Sequence, residues 1–293
     1  MNTRKPSLLV LGATGLLGQA VVAEAKRRGI EVHGAARKGS DFDVDLTNVA
    51  QVAGLFARLS PTRVINAAAE TNLDRCEQDP GGTYLINARA VALIADQCRT
   101  SGANLVHVST DHFFTGDGAR GHAEDSTVTL VNEYARSKFA GEAFARNLPG
   151  CLVIRTNITG FRGWSGRPTF AEWAVDAILN RRPLNLFDDF HTSTIDVGSF
   201  SRLLFELLDT QAAGLLNLAS STVSSKLDFV RELAASFGIR LDWATVSSVR
   251  DLATARAESA GLDVSKAEHL LGHPLPTLGE VCGALVARYR TSP

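Results

Sequence analysis

The sequence predicts an α/β fold: a doubly wound parallel sheet followed by a smaller C-terminal lobe. Short apolar, β-rich runs alternate with helix-period segments through the first half, a glycine-rich turn joins the first run to the first helical segment, and the rhythm loosens after Arg155. Strand–helix repeats with right-handed crossovers stack into one parallel sheet covered on both faces.

In order, Ser7–Leu11 is a strand and Leu16–Arg28 a helix that stops at Gly29. Glu31–Ala35 is a strand, Val49–Leu59 a helix, Thr62–Asn66 a strand and Gly82–Ser101 a helix. Asn104–Ser109 is a strand, Leu130–Asn147 a helix and Cys151–Arg155 a strand. Beyond these, Gly160–Pro168 reads as a glycine- and arginine-rich loop, Phe170–Arg181 and Val197–Leu208 as helices, Leu215–Ala219 as a late strand and Leu227–Phe237 as a helix. The last fifty residues hold a Leu252–Ala260 segment, a short Val264–Leu271 helix and a terminal Leu278–Tyr289 helix. The expected division is a nucleotide-binding domain over residues 1–156 plus about 192–222, and a lobe over about 157–191 plus 223–293.

Composition narrows the function classes. The 293 residues are 45% hydrophobic and 21% charged, which fits a compact globular chain. Thirty basic against thirty-one acidic residues removes a global electrostatic case for nucleic acid or an anionic membrane. No run approaches eighteen uninterrupted apolar residues, and the charged Met1–Pro6 segment does not open a signal peptide, so a cytoplasmic protein with no membrane partner is expected. Cys76, Cys98, Cys151 and Cys282 form no CxxC pair; Cys98, Cys151 and Cys282 sit in apolar stretches and read as buried thiols, and no spacing supports a metal site.

Gly12-Ala-Thr14-Gly15-Leu16-Leu17-Gly18 lies between the first strand and the first helix. A pyrophosphate there needs a tight turn, close backbone approach and a helix N-terminus, which makes the predicted fold Rossmann-like. At the end of the second strand an acidic residue would hold the ribose 2′-hydroxyl of NAD; Ala36-Arg37-Lys38 stands there instead and favours NADP(H). Asp41, Asp43 and Asp45 follow closely and leave a carboxylate within reach of the same loop.

Two segments set the reaction type. Val108-Ser109-Thr110-Asp111 closes the fourth long strand at the sheet's carboxyl edge, and Tyr134 and Lys138 stand four apart on one face of a helix. With the glycine turn, this combination resembles the short-chain dehydrogenase/reductase superfamily in its extended form. Asn66-Ala67-Ala68-Ala69 and Asn87 add to it. The likeness narrows through Asn66 to Glu77 (with Thr71 and Asp74), Ser109-Thr-Asp-His-Phe-Phe-Thr-Gly116, Arg155-Thr-Asn157 and Leu262-Asp-Val-Ser-Lys266, which resemble the dTDP-4-dehydrorhamnose reductase family over about residues 7–285.

The resemblance implies an NADPH-dependent reductase of a nucleotide-linked 4-keto-6-deoxy sugar. Tyr134 would donate the proton, Lys138 would bind the nicotinamide ribose and lower the phenol's pKa, and Thr110 would hydrogen-bond the substrate oxygen. A cation about 4 Å from a phenol contributes roughly 4 kcal/mol at an effective dielectric of ~20, enough to bring it toward neutral pH. The implied cofactor contacts are Gly12, Thr14, Gly15, Leu16, Leu17, Gly18, Arg37, Lys38, Asp45, Leu46, Ala67, Ala68, Ala69, Asn87, Tyr134 and Lys138. The implied substrate contacts are Thr71, Asp74, Thr110, Asp111, Asn157, Trp164 and Arg256. Departures fall where substrate is expected: Ile158 where the family commonly has Trp, His112 for Tyr, Thr192-Ser-Thr194 for Ser-Pro-Thr, and Arg256-Ala257 for Arg-Pro. They leave the sugar open. Alternatives are an epimerase or dehydratase-like relative, a reductase of another carbonyl, or a non-catalytic NADP-binding regulatory subunit; a homodimer is the family's frequent state.

Overall fold

The computed structural model describes residues 7–164 and 166–291; Met1–Pro6, Ser165 and the last two residues lie outside the described residues. The chain divides into two compact units. One comprises Met1–Ser109, Asn132–Ile154 and Ala212–Leu216, the other Thr110–Val131, Arg155–Gln211 and Asn217–Pro293.

The first unit is built on a seven-stranded parallel sheet. Its strands are β1 (Ser7–Leu11), β2 (Glu31–Ala36), β3 (Phe42–Asp43), β4 (Arg63–Asn66), β5 (Asn104–Val108), β6 (Leu152–Arg155) and a last strand, Gly214–Asn217. In space they run Gly214–Asn217, β6, β5, β4, β1, β2, β3. The chain therefore leaves β1 in one direction through β2 and β3 and resumes on the other side at β4. The carboxyl ends of β1 and β4 flank the point where strand order reverses, the place where ligands bind in open α/β sheets. Helices α1 (Leu16–Arg27), α2 (Val49–Leu59), α3 (Leu73–Gln78), α4 (Pro80–Tyr84), α5 (Ala90–Ser101) and α6 (Glu133–Arg146) lie between the strands in sequence. Leu9, Leu11, Val64, Leu105 and Val153 from the sheet pack with Val52 and Phe56 of α2 and Val91 and Ile94 of α5. Each such side chain contributes roughly 1.5–3 kcal/mol by leaving water.

The alternation read from the sequence is the observed one, and the departures have local causes. The single expected helix over 82–101 is α4, a π-helical turn Leu85–Arg89 and α5 in unbroken succession. The helix expected from Leu130 starts at Glu133, because the Asn132 side chain accepts the Ala135 N–H at 2.8 Å and caps it there. Short, mostly polar α3 carries too little apolar periodicity to be foreseen; Asn72 caps it through the Arg75 N–H.

Among the described residues, the second unit combines three small sheets with five helices and a short 3₁₀ turn. Asn157–Thr159 pairs with Thr194–Asp196, and Asn185–Phe187 with Thr245–Ser247. His191–Thr192 lies between Ser224–Ser225 and Ser259–Ala260. The helices are Phe170–Leu179, Val197–Asp209, Lys226–Ser236, Ser265–Leu271 and Leu278–Thr291. The 252–260 segment ends as the strand Ser259–Ala260. The 160–168 loop is tied down where described: Glu172 Oε1 accepts the N–H groups of Arg162 and Gly163 at 2.6 Å.

Candidate active site

In the first unit the glycine turn is held by its own backbone. The Gly15 N–H donates to the Gly12 carbonyl at 2.9 Å, and Gly12 and Ala13 both donate to Ala35. Gly12 has φ +81°, and a Cβ there would lie 2.8 Å from the Ala68 nitrogen; one on Gly18 would lie 2.2 Å from the Gly12 oxygen. Only glycine allows β1, the 67–68 turn and the start of α1 to approach this closely. Gly15 is the N-cap of α1, no side chain caps it, and no acidic residue occupies the first turn. The helix therefore presents backbone N–H groups and its positive dipole end to an anion. Thr14 spends its carbonyl on Gln19 Nε2, while Leu17 is buried.

Arg37 and Lys38 follow β2 and are exposed. The nearby carboxylates have local work. Asp41 Oδ2 accepts the Gly34 N–H at 2.8 Å, and Asp45 accepts from the Thr47 N–H and hydroxyl, which, with a weaker pull from Arg37, holds its carboxyl below the usual range. Leu46 beside it is buried. A glycine cradle, an uncapped helix start and an exposed basic pair suit a dinucleotide carrying an extra phosphate.

Asn66, at the end of β4, accepts the Ala68 N–H at 3.1 Å and thereby shapes the 67–69 turn. Asn87, in the π-helical turn, is buried, and its amide is committed: it accepts from the Glu70 N–H and donates to the Glu70 carbonyl and the Ser137 hydroxyl. It ties the segment after β4 to α6. Gly141 makes that approach possible, since a Cβ there would lie 2.2 Å from the Asn87 carbonyl. Thr71 and Asp74 lie in the same unit, exposed at the start of α3.

Tyr134 and Lys138 are both buried on α6, one turn apart. The Lys138 ammonium donates to the Val108 carbonyl at 2.7 Å, at the carboxyl end of β5. Burial pushes Lys138 down to about 8, while Glu142 one turn on pulls the other way. His107, wholly buried in β5, is held well below its ordinary range by burial and by the Lys138 charge, and so is neutral.

In the second unit Thr110, Asp111 and Asn157 come together. The Thr110 hydroxyl donates to Asp111 Oδ1 at 3.3 Å and accepts the His112 N–H at 3.3 Å. Asn157 Nδ2 donates to Asp111 Oδ2 at 2.8 Å, and its Oδ1 accepts from Thr194 at 2.9 Å. Burial pushes the Asp111 carboxyl up to about 7 against the pull of Asn157 and Lys226. His112 is pushed down to about 3 by burial and by two cations within reach, Lys226 and Arg256. Trp164 is exposed, its ring covered by the Arg162 guanidinium at 4.1 Å.

Sequence reading did not single out Lys226. The available signal was a lysine at the first position of a helix, directly after the Ser225 N-cap, where the helix dipole disfavours a cation. Among the described residues no group of three or more His, Cys, Asp or Glu side chains is placed to hold a metal ion, and no helix is long and apolar enough to cross a membrane.

Comparison with known proteins adds the family. The profile of the RmlD substrate binding domain matches residues 6–291. The chain is 31% identical over 291 residues to the probable low-salt glycan biosynthesis reductase Agl14 of Haloferax volcanii, covering 96% of this chain and 97% of that protein. It is 34% identical over 229 residues to the dTDP-4-keto-6-deoxy-D-glucose reductase of Streptomyces niveus, covering 76% of each. The crystal structure of dTDP-4-dehydrorhamnose reductase from Bacillus anthracis in complex with NADP superposes with a TM-score of 0.87 at 23% identity, over 97% of this chain and all of that one.

Proposed function

The chain belongs to the RmlD substrate binding domain family, and from that footing we propose that it reduces a nucleotide-linked 4-keto-6-deoxy sugar with NADPH, as a step of dTDP-rhamnose-type sugar biosynthesis in the cytoplasm. It is an NAD(P)-dependent oxidoreductase with NADP(H) as cofactor. The observation that carries the finer reading is Lys138: a wholly buried ammonium fixed on the Val108 carbonyl at the carboxyl edge of β5, one helical turn from Tyr134.

The cofactor's pyrophosphate would lie on Gly12, Thr14, Gly15, Leu16, Leu17 and Gly18, and its 2′-phosphate on Arg37 and Lys38, with Asp45, Leu46 and residues Ala67 to Ala69 beside the adenosine half. Asn87 would act at second hand by fixing the segment after β4. When bound, NADPH supplies the hydride. Tyr134 gives its phenolic proton to the carbonyl oxygen of the sugar as charge develops there, and Lys138, held by Val108, keeps a positive charge near that phenol. Thr110 would turn its single hydroxyl proton from Asp111 to the same oxygen when substrate binds, with the His112 N–H still held by its oxygen. Thr71, Asp74, Trp164 and Arg256 are the remaining substrate contacts in this reading, Arg256 as a cation for the nucleotide's phosphates. The ligand is a nucleotide sugar, and the working assembly is taken as a homodimer.

The test is consumption of NADPH, followed by absorbance, with a panel of dTDP-, UDP- and GDP-linked 4-keto-6-deoxy sugars. Oxidation with one of them, matched by reduced sugar, supports the reading. Sugar interconversion without net NADPH consumption identifies an epimerase instead. NADPH binding without turnover on any sugar identifies a regulatory subunit.

A further inference from the structure

The second unit holds a lysine that the reaction above does not use. Lys226 opens the Lys226–Ser236 helix, at the end whose dipole repels cations. Its ammonium lies over two aromatic rings, 5.0 Å from the Phe170 centroid and 5.4 Å from that of Phe190. Burial among these neighbours lowers it to about 8, partly offset by the charge of Asp111. Part of the residue reaches solvent, while its ammonium is enclosed.

Its hydrogen bonds are long: 3.4 Å to the Thr192 hydroxyl and 3.5 Å to that of Thr194. The protons of that network have one consistent direction. Asn157 gives its Nδ2 to Asp111, so its Oδ1 must accept the Thr194 proton. Thr194 has only one proton, so in the 2.8 Å bond between the two threonines Thr192 is the donor. The chain therefore runs from Thr192 through Thr194 and Asn157 to Asp111, the carboxylate that also accepts from Thr110. Both hydroxyl protons are spent, and at the far end an ammonium with three donors meets two distant acceptors. That end of the network is rich in donors and calls for an acceptor oxygen.

We propose that Lys226 is a specificity-determining residue that reads a ring hydroxyl of the substrate sugar. This rests on the nucleotide-sugar reading above. A neutral hydroxyl suits the site better than a carboxylate, because the ammonium already lies over two aromatic rings and feels the Asp111 carboxyl. The same network ends on Asp111, the carboxyl group that holds the Thr110 proton, so the contact bears on Thr110 as well.

The experiment measures steady-state kinetics and NADPH affinity for wild type, Lys226→Met and Lys226→Gln on the best sugar of the panel and on analogues each lacking one ring hydroxyl. Lys226→Met should raise KM about ten- to a hundredfold on the parent sugar, the loss of a hydrogen bond to a charged group. It should change kcat less and leave NADPH affinity unchanged. The penalty should vanish on one deoxy analogue, which wild type itself uses poorly, and Lys226→Gln, which keeps a donor, should recover part of it. Melting curves show that each variant is folded; should Lys226→Met not fold, Lys226→Gln carries the comparison. A folded variant with wild-type kcat/KM on the parent sugar overturns the inference, as does an equal loss on every analogue or a wild-type preference for a sugar acid. A wild type inert toward every nucleotide sugar fails the broader reading and this inference together, whereas normal wild-type turnover with an indifferent Lys226 fails this inference alone.

Discussion

Among the described residues, Lys138 in one unit and Lys226 in the other both have an enclosed ammonium, and the two are held in opposite ways. Lys138 is wholly buried, bound at 2.7 Å to the Val108 carbonyl and offset by Glu142 one turn away. Lys226 has hydroxyl acceptors only at 3.4 and 3.5 Å and rests on two aromatic rings. Burial lowers both to about 8, so desolvation alone does not tell them apart. The difference is bond length: one short bond to the scaffold fixes Lys138 in one geometry, which suits a group that must keep a charge at a fixed point. Lys226 has donor capacity to offer, which suits recognition of a ligand.

The largest effect expected from breaking this comparison is on the partner of Lys138. Tyr134→Phe removes one oxygen and keeps the ring, so folding and NADPH affinity should survive while turnover falls by on the order of 10²–10⁴. A Tyr134→Phe enzyme turning over like wild type would sink the mechanism. Lys138→Met should cost about a hundredfold in kcat and, unlike any change at Lys226, weaken NADPH binding as well; calorimetric titration distinguishes the two lysines directly. If Lys138→Met and Lys226→Met lose the same parameter, the contrast drawn between them is wrong.

Asp111 sharpens the comparison through pH. Its folded carboxyl is pushed up to about 7 from an ordinary 3.8, so the folded chain binds that proton more tightly than the unfolded one. The resulting stability is present in full below about pH 4 and is lost as pH rises through about 7, an effect on the order of 2–4 kcal/mol. Asp111→Asn should flatten that slope in urea unfolding between pH 4 and 7, with Lys226 and His112 still in place; an unchanged slope assigns it to other groups. The smallest effect concerns an exposed cation. Arg37→Ala should weaken NADPH binding about tenfold and leave NADH binding unchanged. Equal affinity of wild type for both cofactors would remove Arg37 from the phosphate site.

Much of the first unit was readable because its requirements are local. Gly12 and Gly18 stand where any Cβ would collide with backbone, and such positions show as glycines in the sequence. Asn48 and Asn132 cap the helices that follow them through the Gln51 and Ala135 N–H groups, so the second helix starts three residues after the expected Leu130. The π-helical turn was not readable, because Leu85–Arg89 continues a helical pattern and differs only in which carbonyl each N–H reaches. Asn87 was foreseen beside the cofactor, but its amide bonds to Glu70 and Ser137 depend on residues up to fifty positions away.

The alternation of strands and helices, the glycine turn, the basic pair after β2 and the Tyr134–Lys138 spacing are properties of neighbouring residues, and the sequence by itself determined them. Tertiary structure alone decided that Asp111 would be buried among Thr110, Asn157 and Lys226, and that a lysine at an ordinary-looking helix start would rest between Phe170 and Phe190. The physical reason is range. Backbone geometry and helix periodicity act over a few residues, whereas desolvation and hydrogen-bond satisfaction depend on partners that only the folded chain brings within reach.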